Sequence, residues 1–234
     1  MNLAMWSGPR NLSTALMYSF ANRSDFQAID EPFYACYLTK TGLNHPMRDD
    51  VLAAQPHDAD DVIADLIAPR GHHYYQKHMT QHMLPDIPRD WIAQVKNVFL
   101  IRHPQRVLAS FSAKYDNPTA TDIGFKQQLD LFKQIQSSGQ TAIVIDSTDI
   151  RRAPRDMLTK LCNAIGLEFD PAMLTWPIGP KPYDGVWAPH WYEAVHKSSG
   201  FAPPEQDMPQ LAEPLQAIAD ACLPYYQEMR AGAL

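Results

Sequence analysis

The chain has 234 residues, of which 45% are apolar and 20% are charged, and its formal net charge is −6 at pH 7. A chain of this length can bury about three quarters of its unfolded surface, which predicts one globular domain over residues 1–234. The negative charge argues against a general nucleic-acid surface, and the lack of a membrane-length apolar stretch or a secretion signal predicts a cytoplasmic protein without membrane contact.

Five short apolar runs alternate with helical patterns along the chain. The clearest run is "VFLI" before Arg102, because it is apolar on both faces, as expected of a buried parallel strand. The predicted strands are 2–6, 26–29, 73–77, 98–101 and the run in "TAIVIDS" at 141–147. The predicted helices between them begin near Arg10 and cover 105–114, 123–137 and 154–165. This alternation predicts a three-layer α/β/α fold with a central parallel sheet of about five strands.

Three further segments have weaker patterns. The acidic cluster at 58–61 predicts the start of another helix. Residues 170–209 are rich in proline, glycine and tryptophan, and they form either a lid that packs on the domain or a mobile arm. The last periodic stretch, 211–229, predicts a helix that covers the sheet, with Pro214 and Pro224 limiting its regular part.

Polar residues follow each predicted strand, and ligands of open parallel sheets bind beyond the carboxyl ends of the strands. Any anionic ligand of this acidic chain must be met by a local cluster of cations, and three cations fall at these ends. The strand ends supply residues 7–10, Asp30 with Glu31, Lys77 with His78, Arg102 with His103, and Asp146 with Ser147.

The loop after the first strand, in "MWSGPRNLSTALMYSF", has the features of an anion site. Gly8 allows a sharp turn, the backbone amides of 11–14 open a helix, and Ser13 and Thr14 add hydroxyl donors. Arg10 adds a planar guanidinium suited to phosphate or sulfate oxygens. The alternative is an ordinary helix start capped by Ser7 or Ser13. No lysine closes a Walker A pattern, which disfavours ATP hydrolysis with magnesium.

Two motifs carry a resemblance to sulfotransferases. "SGPRNLSTAL" resembles their 5′-phosphosulfate loop, and "RHPQRVLAS" resembles their 3′-phosphate signature, with Arg102 and Ser110 eight positions apart. The resemblance implies a P-loop NTPase-like fold and places the chain near bacterial sulfotransferase-like proteins. "GPKPYDGVWAPHWYEAVHKSSGF" also resembles sulfotransferase-like domains that stand beside branched-chain aminotransferases.

Further matches nominate individual residues. "DEPFY" resembles the segment with the catalytic base, which nominates Glu31, and "QKHMTQHMLP" nominates Lys77 as a contact to the bridging oxygen of the transferred group. "WYEAVHKSSGF" resembles the late loop over the 3′-phosphate. The donor-binding residues that the resemblance implies are Ser7, Gly8, Pro9, Arg10, Asn11, Leu12, Ser13, Thr14, Arg102, Ser110, Lys197, Ser198 and Ser199.

By this resemblance the donor is 3′-phosphoadenosine 5′-phosphosulfate, and a sulfuryl group moves to a hydroxyl or amine of a small acceptor without a metal. Arg10 and Lys77 would neutralise charge on the leaving phosphate, and Glu31 would take the acceptor proton. His78 or His82 is the reserve base. No nucleic-acid partner is expected, and a homodimer is kept as one expected assembly.

Leu12 departs from the family pattern, because it stands where the loop commonly has glycine, and Arg10 replaces the lysine of many members. A leucine there would block close backbone approach if a positive φ were required. Two alternatives therefore stay open: a nucleotide- or anion-binding module of the same fold without transfer, and a small-molecule kinase. A zinc site on His78 and His82, which are four positions apart, is a third and weaker alternative.

Overall fold

The central sheet has five strands, all parallel, in the order β2-β3-β1-β4-β5. The computed structural model describes residues 1–234. The strands are β1 Asn2–Ser7, β2 Phe26–Asp30, β3 His73–Met79, β4 Lys96–Ile101 and β5 Ala142–Asp146. The predicted parallel α/β fold is confirmed, and every predicted strand is present within two residues of its predicted ends.

Twelve α-helices connect or cover these strands. They are α1 Ser13–Ala21, α2 Tyr34–Thr41, α3 Arg48–Ala54, α4 Ala59–Ile67, α5 Pro104–Phe111, α6 Ala120–Ile123, α7 Phe125–Ser137, α8 Ser147–Arg152, α9 Pro154–Ile165, α10 Ala188–Trp191, α11 Glu193–His196 and α12 Glu213–Arg230. Three short 3₁₀ helices occupy Thr80–His82, Asp90–Gln94 and Pro171–Leu174. No helix has the length and apolar character needed to cross a bilayer.

The core lies on both faces of the sheet, which explains the continuous apolar runs in the sequence. Leu3 and Met5 of β1 face a cluster that includes α1, α8 and α9, whereas Ala4 and Trp6 face a cluster that includes α4, α7 and α12. All four side chains are fully buried. Burying one large apolar side chain stabilises a fold by about 1.5–3 kcal/mol, so alternation across two covered faces fixes the register of this central strand.

Two helices in the 31–54 region were not predicted. Pro32 lies two residues after the end of β2, and α2 and α3 come after it. These helices pack mainly on each other and on the segment around Trp187, in a small cluster outside the sheet. The helical pattern was hard to see because the buried residues of α2, at positions 34–38, are consecutive rather than spaced by three or four.

The segment 170–209 packs on the domain. Trp176 and Trp187 are buried, and α10 and α11 lie within the segment. Of the two prolines expected to limit the last helix, Pro214 lies in its first turn, whereas Pro224 does not end it, because α12 runs through that residue. Ala219 and Cys222 of α12 are buried against α5, and this packing outweighs the hydrogen bond that an internal proline removes.

Candidate active site

The carboxyl ends of the strands surround a cavity of about 330 Å³. Arg10, Lys77 and Arg102, the three cations expected at this edge, all line it, and so does Glu31. The parallel register explains the convergence: Ser7 at the end of β1 pairs with Met79 of β3 and with Leu100 of β4. The loops that leave β1, β3 and β4 therefore begin at about one level of the sheet, and β2 ends two residues earlier, where Asp30 pairs with Lys77.

Helix α1 begins at Ser13, later than expected, and its amino terminus has no side-chain cap. Leu12 occupies the capping position and has no side-chain oxygen, so the alternative of a start capped by Ser7 or Ser13 is wrong. The first N–H groups of a helix lack intrahelical partners and carry the positive end of the helix dipole. Residues 9–15 line the cavity, so these donors are available to an anion in it.

Three non-glycine residues at this site have left-handed backbones. The φ angles are 60° at Arg10, 73° at Leu12 and 42° at Glu31. Each such residue costs about 1–2 kcal/mol, and strain of this kind concentrates at functional sites. The Leu12 side chain packs against the core cluster on the α1 face, which compensates part of this cost.

Gly8 is required by close packing. A Cβ at this position would lie 2.5 Å from the carbonyl oxygen of Ile123, which belongs to α6. The turn after β1 is therefore pressed directly against the backbone of another element.

We expect Gly8→Ala to destabilise the protein by about 1–3 kcal/mol, since overpacking forces the backbone to shift. Urea denaturation measures the change in the free energy of unfolding. Gly71→Ala is the matched control, because a Cβ there has no atom within 4 Å. Equal stability of the two variants would contradict the role given to this contact.

Arg10 and Arg102 lie side by side at the end of the cavity. Arg10 Nε donates to Ser110 Oγ at 2.9 Å, and Arg102 Nη1 donates to the carbonyl oxygen of Arg10 at 2.6 Å. Burial, and then the charge of Arg102, lower the pKa of Arg10. The charges of these two arginines favour bound anions at this end of the cavity.

Lys77 is buried, with 1% of its surface exposed, and all three of its ammonium donors are used. Nζ lies 2.7 Å from Asp30 Oδ1, 2.6 Å from Glu31 Oε1 and 2.7 Å from the hydroxyl of Tyr192. Burial lowers the pKa of Lys77, but the two carboxylates outweigh it and the net direction is upward. Lys77 is therefore charged, and a bond to a further oxygen requires one of these three partners to leave.

Glu31 lies between Lys77 and His82. Besides its bond to Lys77, its Oε2 is 4.0 Å from His82 Nε2. Burial raises the pKa of Glu31, while Lys77 opposes that rise and Asp30 adds to it, and the net direction is upward. A carboxyl group with a raised pKa next to a cavity is typical of proton-transfer chemistry.

The two nominated histidines have different surroundings. His82 lines the cavity and stacks between Tyr34 and Tyr37, with ring centroids 4.7 Å from each, and burial lowers its pKa, so it is neutral. His78 stacks on Trp6 in the core, and burial lowers its pKa to about 3. It belongs to strand β3, so the helical spacing needed for the zinc alternative does not exist. No three His, Cys, Asp or Glu side chains are grouped to hold a metal ion.

The late loop is only partly at the cavity. Ser198 lines it, and its hydroxyl accepts a hydrogen bond from Trp176 and donates one to Val195. Lys197 is exposed and pairs with Glu193. Ser199 uses its carbonyl oxygen to hold Trp176. Neither Lys197 nor Ser199 lines the cavity.

The side of the cavity near Glu31 and His82 is aromatic. Trp187, Trp191 and Tyr192 line it, whereas Tyr74 and Tyr75 of β3 do not. The other aromatic lining residues are Tyr34, Tyr37, His45, His82, Phe111 and Tyr115.

Two contributions to the site were not predicted. The hydroxyl of Tyr192 donates to Asp30 Oδ2 at 2.7 Å and holds Lys77 at the same time. Glu205, from the segment after residue 200, binds Arg102. Tyr192 is more than one hundred positions away from Asp30 and Lys77 in the sequence, and Glu205 is also more than one hundred positions away from Arg102. No rule of sequence spacing connects residues so far apart.

The comparisons with known proteins agree with this geometry. The family model described as "Sulfotransferase domain" matches residues 1–233. Two proteins of Arabidopsis thaliana, "Branched-chain-amino-acid aminotransferase-like protein 2" and "protein 1", are each 36% identical over 96% of this chain. The chain spans only 40% and 41% of their lengths.

Two solved structures share the fold. The sulfotransferase domain of the Synechococcus PCC 7002 olefin synthase has a TM-score of 0.58 at 20% identity, over 94% of this chain and 93% of that one. The sulfotransferase domain of the curacin biosynthetic pathway has a TM-score of 0.57 at 20% identity, over 94% and 96%. Because this family model matches nearly the whole length of the chain, the chain belongs to the sulfotransferase domain family.

Proposed function

We propose that the protein transfers a sulfuryl group from 3′-phosphoadenosine 5′-phosphosulfate to a hydroxyl or amine of a small acceptor. The convergence of Arg10, Lys77 and Arg102 on one cavity, beside a helix amino terminus without a cap, carries this proposal. A donor with phosphate groups at two positions needs cations at two places. Arg10 and the α1 amides suit the 5′ end, and Arg102 suits the 3′-phosphate.

The acceptor oxygen would attack the sulfur while the bond from sulfur to the bridging phosphate oxygen breaks. Glu31 would take the acceptor proton, and the negative charge would pass to the leaving phosphate. Because Glu31 in its charged form holds Lys77 at 2.6 Å, its protonation would weaken that ion pair. A freed N–H of Lys77 could then donate to the leaving oxygen, so that proton uptake and charge neutralisation occur together.

The aromatic lining supports an acceptor with an apolar or aromatic body. Tyr34 and Tyr37 flank His82, which lies next to Glu31, so the acceptor would meet aromatic faces close to the base. Nδ1 of His82 is buried without a partner. This nitrogen could hold a polar atom of the acceptor.

Incubation with labelled donor and a panel of alcohols, phenols and amines tests the proposal, with calorimetry against adenosine 3′,5′-bisphosphate and ATP. Transfer to a panel member supports it. Bisphosphate binding without transfer would favour the binding module. Preferential ATP binding with phosphoryl transfer would favour the kinase.

The pH profile of kcat/KM gives a further prediction. The raised pKa of Glu31 means that the base gains its proton above the ordinary carboxyl range, near 4.3. Activity should therefore fall as the pH drops through a value higher than this, because only the ionised carboxylate accepts a proton. A steady-state profile from pH 4.5 to 9 measures it. An acid limb absent from this range would contradict the prediction.

A further inference from the structure

A buried carboxylate lies among three arginines next to the cavity. Glu205, with 3% of its side chain exposed, accepts hydrogen bonds from Arg102 through Nε at 3.1 Å and through Nη2, and from Arg151 Nη1 at 2.8 Å. Arg106 Nε lies 3.3 Å from its other oxygen, and Thr148 Oγ1 donates to that oxygen at 3.3 Å. We call these four partners the arginine cluster.

The arginine cluster has an excess of positive charge, because three guanidinium groups surround one carboxylate. Burial raises the pKa of Glu205, but the bonds and charges of the arginines outweigh it, and the net direction is downward. Glu205 is therefore negatively charged where it lies among the three arginines. A phosphate monoester carries about −1.5 to −2 charges at pH 7 and would neutralise the cluster better than a single carboxylate does.

The segment that carries Glu205 is held mainly by side chains. Residues 202–211 make no backbone-to-backbone hydrogen bond. Arg151 Nε donates to the carbonyl oxygen of Pro203 at 2.8 Å, and Arg106 Nη2 donates to that of Gln206 at 2.6 Å. Gln105 Nε2 donates to the carbonyl oxygen of Pro209 at 2.6 Å. Release of Glu205 from the cluster would therefore loosen the part of the segment around Glu205, while these bonds to its carbonyl oxygens could remain.

Glu205 also occupies the edge of Arg102 that would bind a phosphate. Nε and Nη2 face Glu205, and Nη1 is bonded to the carbonyl oxygen of Arg10. Arg102 and Ser110 line both the main cavity and a second cavity of about 360 Å³ that contains Glu205. Arg102, which belongs to the arginine cluster, is therefore shared by the proposed donor site and the second cavity.

We propose that the arginine cluster is a phosphate-binding site whose occupant in the free protein is Glu205, and that the 3′-phosphate of the donor displaces it. Arg106 and Arg151 then join Arg102 as phosphate ligands, and the part of segment 202–211 around Glu205 becomes more exposed. The inference rests on the proposed function, since it assigns the phosphate to the sulfuryl donor.

Calorimetry on the wild type and on Glu205→Gln tests the displacement, with adenosine 3′,5′-bisphosphate, adenosine 5′-monophosphate and inorganic phosphate as ligands. Glutamine keeps the shape but removes the competing charge. We expect Glu205→Gln to bind the bisphosphate at least 10-fold more tightly and the monophosphate within 2-fold of the wild type. Arg151→Met should weaken the binding of the bisphosphate and leave that of the monophosphate unchanged.

A second measurement uses the wild type and does not depend on any variant folding. A glutamate-specific protease cuts after Glu205 slowly while the carboxylate is buried. The bisphosphate should speed this cut, read by mass spectrometry, relative to cuts after the exposed Glu193, and the monophosphate should not.

Three results would overturn the inference. Unchanged or weaker bisphosphate binding by Glu205→Gln, or slower cutting after Glu205, would show that the carboxylate is structural. If Glu205→Gln tightened the binding of inorganic phosphate but not that of the bisphosphate, the donor would not be the ligand of the arginine cluster. If the wild type and Glu205→Gln both bind no adenosine ligand, the proposed function itself fails, which is a distinct outcome.

Discussion

Glu31→Gln is expected to lower kcat by about 10²- to 10⁴-fold, the usual contribution of a general base. The amide keeps the size of the carboxyl group and can still accept a hydrogen bond from Lys77, but it cannot take a proton from the acceptor. The residues proposed to hold the donor, Arg10 and Arg102, do not contact Glu31 by any hydrogen bond. The dissociation constant for adenosine 3′,5′-bisphosphate should therefore stay within about 3-fold, in keeping with separate binding and transfer roles.

Steady-state kinetics with labelled donor, together with calorimetry, measure both quantities. His82→Phe is the companion variant, because a phenyl ring can keep the stack between Tyr34 and Tyr37. Full turnover by Glu31→Gln together with a large loss in His82→Phe would transfer the role of base to His82. A loss of bisphosphate binding in Glu31→Gln would mean that Glu31 shapes the donor site instead.

Lys77→Met is expected to destabilise the protein by about 3–5 kcal/mol, because it leaves buried carboxylates without their cation. Asp30 and Glu31 both bind Lys77, and neither is more than one-tenth exposed. Methionine is similar in size, so the loss measures charge and hydrogen bonding more than volume. Transfer activity should also be abolished.

Urea denaturation at pH 5 and pH 8 measures the effect. Without Lys77 the pKa of Glu31, already raised by burial, rises further above its unfolded value. When the pKa of a carboxyl group is higher in the folded than in the unfolded state, the fold loses stability as the pH increases between those two values. The loss of unfolding free energy caused by Lys77→Met should therefore be smaller at pH 5 than at pH 8.

Lys40→Met is the matched control for this experiment. Lys40 pairs with Asp86 at the surface, where an ion pair contributes about 0–1 kcal/mol. Similar losses in both lysine variants, or a deficit for Lys77→Met that grows at low pH, would contradict the account of the buried ion pair.

The order of elements and the edge that holds the site could be predicted from the sequence. The run "VFLI" is apolar on both faces because β4 is covered by helices on both sides, and that pattern is local. The polar residues after the strands, including Arg10, Glu31 and Arg102, fall at one edge because all five strands are parallel. The spacing of Arg102 and Ser110 also lies within one strand, turn and helix.

Only the tertiary structure decided how those residues are paired. The bond of Lys77 to Tyr192 and the bond of Arg102 to Glu205 each join segments more than one hundred positions apart. The bonds of Lys77 to Asp30 and Glu31, which complete its set of partners, join neighbouring strand ends. The left-handed backbone at Leu12 was likewise not readable, since leucine seldom adopts it. Periodicity reports which face of an element is buried, whereas the partner of a buried charge depends on which distant segment packs over it.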